Sequence, residues 1–151
     1  MSETPAPTTD EPVLVGFPRR FGALIYDSLL AVAVAILASA IAMGASHNTL
    51  SEHRLAFQVY LFLVLGWFFS WFWTHGGQTL GMRAWKIRVE RLDGAPLTWG
   101  QALLRFTLAW ATLGVGLLWS LADRDRQALY DRIAKTRVIR VWSASYVPRM
   151  R

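Results

Sequence analysis

Apolar residues gather in three long blocks, with the polar residues collected between them. Gly22 to Met43 is the first block, 22 residues with one charge, Asp27. As a helix it reaches roughly 33 Å, enough to cross a hydrocarbon core. Arg19 and Arg20 stand directly before it. Leu55 to Trp73 is the second block, 19 residues without a charge, closing on Trp67, Phe68, Phe69, Trp71, Phe72 and Trp73. Such rings favour the headgroup level of a bilayer, where an indole N–H meets water. The third block, Trp99 to Ala122, is less uniform. It holds Gln101, Arg105, Thr107 and Thr112 and is interrupted by Gly114 and Gly116.

A cleaved signal peptide is the rival reading of the first block. Arg19 and Arg20 would be its charged end, and Ala38-Ser39-Ala40 its cleavage site. The block outlasts a signal core of about 7–15 residues, and it tolerates a carboxylate. A second apolar block follows, so a retained spanning helix is expected. Residues 1–16, polar and holding Pro5, Pro7 and Pro12, read as a flexible tail, and 143–151 as a basic C-terminal tail.

Two shorter stretches read as strands. From Arg83 to Arg91, Trp85, Ile87 and Val89 alternate with Lys86, Arg88 and Glu90. Thr136 to Trp142 is a second β-branched run, and Asp93-Gly94 is a turn signal. Thr98 and Gln101 have capping-box spacing at a helix start. Asp123 and Asp125 read as helix-start residues, with a short amphipathic helix expected over about Arg126 to Lys135.

The basic residues decide how the third block lies. Two Lys or Arg precede the first span, one lies between the spans, four lie from His75 to Gly100, and eight follow Ala122. A full third crossing leaves six inside and nine outside; a segment that dips in and returns leaves fourteen inside and one outside. The positive-inside rule selects the second arrangement. It also puts both strand patterns on one side, where they can pair.

Polar residues inside the apolar blocks are the candidate chemistry. An ionised Asp at a span's centre costs about 2.5–3.5 kcal/mol. Asp27 lies nearer the end, and such carboxylates usually face a bundle interior or a wet cavity. Arg20 is two turns earlier on nearly the same face, which continues through Ala23, Ala31, Ala35, Ala38 and Ala42. Small residues at this spacing permit close helix packing. The second span offers Gln58, Gly66, Ser70 and Thr74 as partners. Arg105 is the expected counter-charge of Asp27. The cluster then reads either as a proton or cation site or as an ion pair that fixes helix register. Asp131, with Lys135 at i+4, reads by spacing as a surface helix pair. Gly76, Gly77 and Gly81 around Gln78-Thr79-Leu80 suit an anion-cradling turn or, more simply, a tight exit from the second span.

Composition narrows the function. Charged residues are 17% of the chain and hydrophobic ones 54%, against about 25% charged in a soluble domain. With no Cys, a disulfide framework and a thiolate metal site are excluded. His47, His53 and His75 share no ligand spacing, so no metal is expected. No nucleophile elbow, carboxylate dyad, Walker lysine or dinucleotide fingerprint occurs, so the expectation is no enzyme and no cofactor. The net charge of +6 needs no nucleic acid to explain it, because positive-inside topology accounts for it. Anionic lipid headgroups are the simpler partner, at about 1 kcal/mol per basic residue near the surface.

Three stretches, in order, resemble the RDD family of small bacterial membrane proteins, named for one Arg and two Asp. They are Arg19-Arg20-Phe21-Gly22-Ala23-Leu24-Ile25-Tyr26-Asp27; Gly77-Gln78-Thr79-Leu80-Gly81-Met82-Arg83 with Ile87-Arg88-Val89 and Asp93-Gly94; and Asp123 to Asp131 with Thr136-Arg137-Val138-Ile139. The resemblance covers about Phe17 to Arg140. It places the named positions on Arg20, Asp27 and Asp131, with Asp123 and Asp125 as alternatives to the last. Tyr130 stands where many members have His, and Met82 where Lys is common. Transport of unknown ligands, including cation–proton exchange, has been proposed for the family.

The resulting expectation is an all-α membrane protein of the bacterial inner membrane, its membrane domain over 17–142. Two transmembrane helices are joined by a third intramembrane or re-entrant helical segment, with a small cytoplasmic β-hairpin-like element. Arg20, Asp27, Arg105 and Asp131 are the candidate ligand- or ion-binding residues. The leading function is a permeation or cation/proton exchange unit, as a homo-oligomer or with a membrane partner; the alternative is a non-transporting adaptor or assembly factor. With both termini cytoplasmic, a C-terminal tag should resist external protease in intact cells and be cut only after permeabilisation. Cleavage from outside would exclude this topology.

Overall fold

The computed structural model describes residues 15–45, 53–112, 118 and 128–141. Two long helices dominate: α1 over Phe17–Ala45 and α2 over Arg54–His75. Pro18 sits in the first turn of α1, where a missing N–H costs nothing. Both helices are long and apolar enough to cross a membrane. Their outer faces are bare: Leu29, Ile36, Leu37, Leu55 and Leu63 are between 61% and 75% exposed. Apolar surface of that extent needs lipid or protein against it. The helices pack through the small-residue face of α1, where Ala23, Ala38 and Ala42 are buried, and the Tyr60 hydroxyl donates to the Ala38 carbonyl at 3.1 Å.

After α2 the chain turns through Gly77 into a short helix, α3 (Leu80–Ala84), and then into strand β1 (Ile87–Arg91). Helix α4 (Trp99–Ala111) follows, opened by the expected capping box of Thr98 and Gln101. A second short helix, α5 (Leu129–Ile133), leads into β2 (Thr136–Arg140). The Gly114–Gly116 interruption, Asp123, Asp125 and the C-terminal tail lie outside the described residues, as does the start of the expected Arg126–Lys135 helix.

The two strands pair antiparallel, Val89 opposite Val138. They do not form a hairpin: α4 and α5 lie between them in sequence, and the Asp93-Gly94 turn returns the chain only to Ala95, whose carbonyl accepts from Arg91 N–H at 3.0 Å. The first strand is also shorter than alternation implies. Arg83 belongs to α3 and Trp85 caps its end, so Trp85 does not share a face with Ile87 and Val89. Glu90 breaks the inside–outside pattern too. It is 1% exposed and accepts from Arg137, its cross-strand neighbour, at 2.8–2.9 Å. Val15, on the expected tail, is buried at 2% exposure, and its N–H donates to the Val138 carbonyl at 3.4 Å.

The two short helix–strand units repeat one another. Leu80, Arg83, Lys86, Arg88, Val89 and Arg91 recur 49 positions later as Leu129, Arg132, Lys135, Arg137, Val138 and Arg140. Both lysines have positive φ, 53° and 54°, and donate their N–H to the arginine carbonyl three residues back. A left-handed residue ends each short helix and turns the chain into its strand. Because Val89 and Val138 are equivalent positions and also opposite one another, the units are related by a local two-fold through that pair.

Ile87, Val89 and Val138 join Ala23, Trp73, Met82, Leu97, Ala102 and Phe106 in one core. It lies where the start of α1, the end of α2 and the sheet meet. Gly77 is pinned there. Its φ is +67°, its carbonyl accepts from Val89 N–H at 2.7 Å, and a Cβ would stand 2.4 Å from the Val89 carbonyl oxygen. Gly77→Ala should therefore cost ~1–3 kcal/mol, as a lower melting temperature of the purified protein in detergent. An unchanged melting temperature would show that this turn is not fixed.

Candidate functional site

Asp131 is the centre of the polar cluster. It sits in the first turn of α5, 0% exposed, and is not a surface partner of Lys135. Its two carboxylate oxygens each accept from a guanidinium, Oδ2 from Arg20 of α1 and Oδ1 from Arg105 of α4. Oδ2 also faces the Ala128 N–H at 3.4 Å. Arg105 donates further to Thr136 Oγ1 at 3.2 Å, and Arg20 Nε to the Val15 carbonyl at 3.1 Å. One carboxylate thus joins α1, α4 and α5, and Arg105 links the start of β2 to it.

Arg105 is 3% exposed and lies over two rings, 5.1 Å from the Trp73 centroid and 4.9 Å from that of Tyr130. Tyr130 gives the guanidinium an aromatic face. Arg105 Nε is buried with no hydrogen-bond partner among the described residues. A buried donor left unpaired costs about 1–3 kcal/mol.

Asp27 and Arg105 are not partners, contrary to the sequence expectation. Asp27 is 8% exposed and turns toward α3: Oδ2 accepts from Thr79 Oγ1 at 2.6 Å and Oδ1 from Gly81 N–H at 3.0 Å. Thr79 is also the N-cap of α3, accepting from Met82 N–H at 3.2 Å. The glycine-containing turn is therefore a tight exit from α2 and an anion cradle at once, and the anion is the protein's own carboxylate. Gly81 permits it, since a Cβ there would stand 2.5 Å from the Ala23 carbonyl oxygen and 2.6 Å from Asp27 Oδ1.

The expected partners on α2 face elsewhere. Gln58 is exposed; Gly66 and Ser70 are buried, and the Phe106 ring of α4 lies over Gly66. Thr74 bonds back to its own helix at the Ser70 carbonyl, 2.8 Å away. Aromatic contacts dominate this seam, with Phe62, Phe69 and Phe106 ring centroids 5.2 and 6.1 Å apart.

Arg20, Asp27 and Arg105 all line a cavity of about 380 Å³ between α1, α2 and α4. Its remaining wall is largely apolar, with Leu24, Phe69, Phe106, Ala109 and Trp110 among the lining residues. Asp131 does not line it; it is fully buried and bound by the two arginines. Three of the four candidate residues thus meet one space, and the fourth fixes two of them. Sequence reasoning missed Thr79 and Gly81 as the ligands of Asp27. The 49-residue repeat would have marked Thr79 as a helix start, because it precedes Leu80 as Ala128 precedes Leu129. No group of His, Cys, Asp and Glu among the described residues could hold a metal ion.

The two carboxylates differ in what their loss leaves behind. Asp131→Asn strands two buried guanidiniums on a neutral amide, which should cost about 3–5 kcal/mol. Asp27→Asn strands no opposite charge among the described residues and loses one accepted hydrogen bond, about 1–3 kcal/mol. Melting of both variants in one detergent should rank Asp131→Asn well below Asp27→Asn; the reverse order would show that Asp131 is not the central tie.

No curated protein and no solved structure matches the chain. The model of the RDD family matches residues 14–135. That range takes in Arg20, Asp27, Arg105 and Asp131, and RDD proteins are membrane proteins, in keeping with two long helices whose apolar faces lie bare. The chain belongs to the RDD family.

Proposed function

We propose that this chain is a membrane permeation unit that exchanges a cation against a proton at Asp27. One observation carries the reading. Both arginines at the cavity bind Asp131, while Asp27 has no ion pair among the described residues. A carboxylate within a spanning helix has its charge balanced by a neighbour, a bound cation or a proton. No neighbouring cation takes that role among the described residues, and the side chain lines a cavity large enough for a small ligand.

The proposed setting is the bacterial inner membrane, with both termini cytoplasmic and the third apolar block re-entrant. Its support is the charge count and the strand pairing, since paired strands share one side. Arg83, Lys86, Arg132 and Lys135 lie exposed around the sheet, suited to anionic headgroups. Two spans give little wall to a pathway, so a homo-oligomer is part of the proposal.

A second reading has its own observation. Both oxygens of Asp27 are engaged by α3, so Asp27 can act as a pure structural tie in an adaptor or assembly factor. Flux separates the two. The full chain is reconstituted in liposomes with a trapped pH dye, and Na⁺, K⁺ and Li⁺ are pulsed from outside. Exchange predicts cation-driven proton movement that falls at least tenfold in folded, inserted Asp27→Asn. Undiminished flux in that variant, or none from inserted wild type, overturns exchange, and the latter result favours the adaptor.

A further inference from the structure

We infer that the cavity between α1, α2 and α4 binds an amphiphilic oxyanion, a carboxylate or phosphate carrying an apolar body, with its charged end on Arg105. The inference stands apart from exchange at Asp27 and does not need it.

Arg105 is the anchor. Its Nη1 is spent on Asp131 and Thr136, while Nε is buried with no partner among the described residues, and the residue lines the cavity. The Nε side of a guanidinium offers a planar two-donor edge that matches an oxyanion. Trp73 and Tyr130 hold the group in place, so little conformational freedom is lost on binding. Asp131 also serves Arg20, so one carboxylate is divided between two guanidiniums. The nearest negative charge on the cavity wall, Asp27, has both oxygens turned to donors on α3.

The rest of the wall selects the ligand's body. Leu24, Phe69, Phe106, Ala109 and Trp110 present aliphatic and aromatic surface. A fully hydrated ion gains nothing from such a wall; a short alkyl chain does. About 380 Å³ is in the range of small-ligand cavities.

The test is saturation binding of labelled decanoate to the full chain in a neutral detergent. We expect one saturable site per chain, displaced by decyl phosphate and not by decanol or decyltrimethylammonium. Arg105→Gln should weaken binding at least tenfold. Because that variant disturbs the Asp131 tie, Ala109→Leu supplies a second reading: it fills the cavity, leaves every ion pair in place, and should also weaken binding at least tenfold. Asp27→Asn, which removes a like charge, should keep or tighten it. Two sources of the ligand separate in nanodiscs. Loss of decanoate binding with phosphatidylglycerol but not with phosphatidylcholine identifies a lipid headgroup; equal binding in both identifies a free amphiphile. Absence of a saturable site, displacement by decanol or by the cationic amphiphile, or unchanged affinity in folded Ala109→Leu overturns the inference. Loss of binding in Asp27→Asn overturns it as well and returns the cavity to cations, whereas the exchange reading fails on flux alone.

Discussion

A single buried carboxylate cannot stay ionised in this setting without donors, and Asp131 draws its donors from two helices far apart in sequence. That constraint organises the described structure. Arg20 is held at the first turns of α1, Arg105 in the middle of α4, and both must reach the start of α5. Thr136 adds the first residue of β2 to the same network. Once α5 is fixed, β2 is fixed, and with it the register against β1. A two-stranded sheet has little stability of its own. This one borrows it from the ion-paired base on which it stands.

The second tie has the opposite construction. At Asp131 the carboxylate comes from a short helix and the donors come from longer ones. At Asp27 the carboxylate comes from a long helix, and the donors, Thr79 and Gly81, come from the short one. The repeated helix–strand units make the contrast direct. Position 131 corresponds to Met82, which is buried in the core, and position 128, an alanine, corresponds to Thr79. Each unit is therefore tied to the helices by one carboxylate, contributed from opposite sides of the contact.

Element types were legible because their causes are local. Two charge-poor blocks of 22 and 19 residues read as spans, and the helices enclose both with a few residues to spare. Thr98 and Gln101 announced the start of α4. That the two β-branched runs pair with each other followed from neither having another partner. Partnership among charges was not legible. Asp27, Arg105 and Asp131 were all in view, but spacing along one helix says nothing of which carboxylate on another segment a guanidinium meets. The Asp131–Lys135 pair failed for the same reason: i+4 proximity is a weak surface effect, and a buried site on two arginines outweighs it. Trp85 misled through periodicity, since three alternating positions cannot show where a helix ends and a strand begins.

The arrangement separates what holds the protein together from what is left to meet a ligand. Asp131 is enclosed and its charge is answered within the protein. Among the described residues, Asp27 is answered by hydrogen bonds alone and Arg105 retains a buried donor without a partner, both at the wall of one apolar cavity. A core built only for stability gains by pairing such groups with each other, since an opposite charge satisfies both at once. Here the fold spends Arg105 on Asp131 and turns Asp27 to α3, so that a carboxylate and a guanidinium on one cavity wall remain unpaired with each other. Groups kept apart in this way can each answer to something that enters the space between them, which a closed Asp27–Arg105 pair could not do.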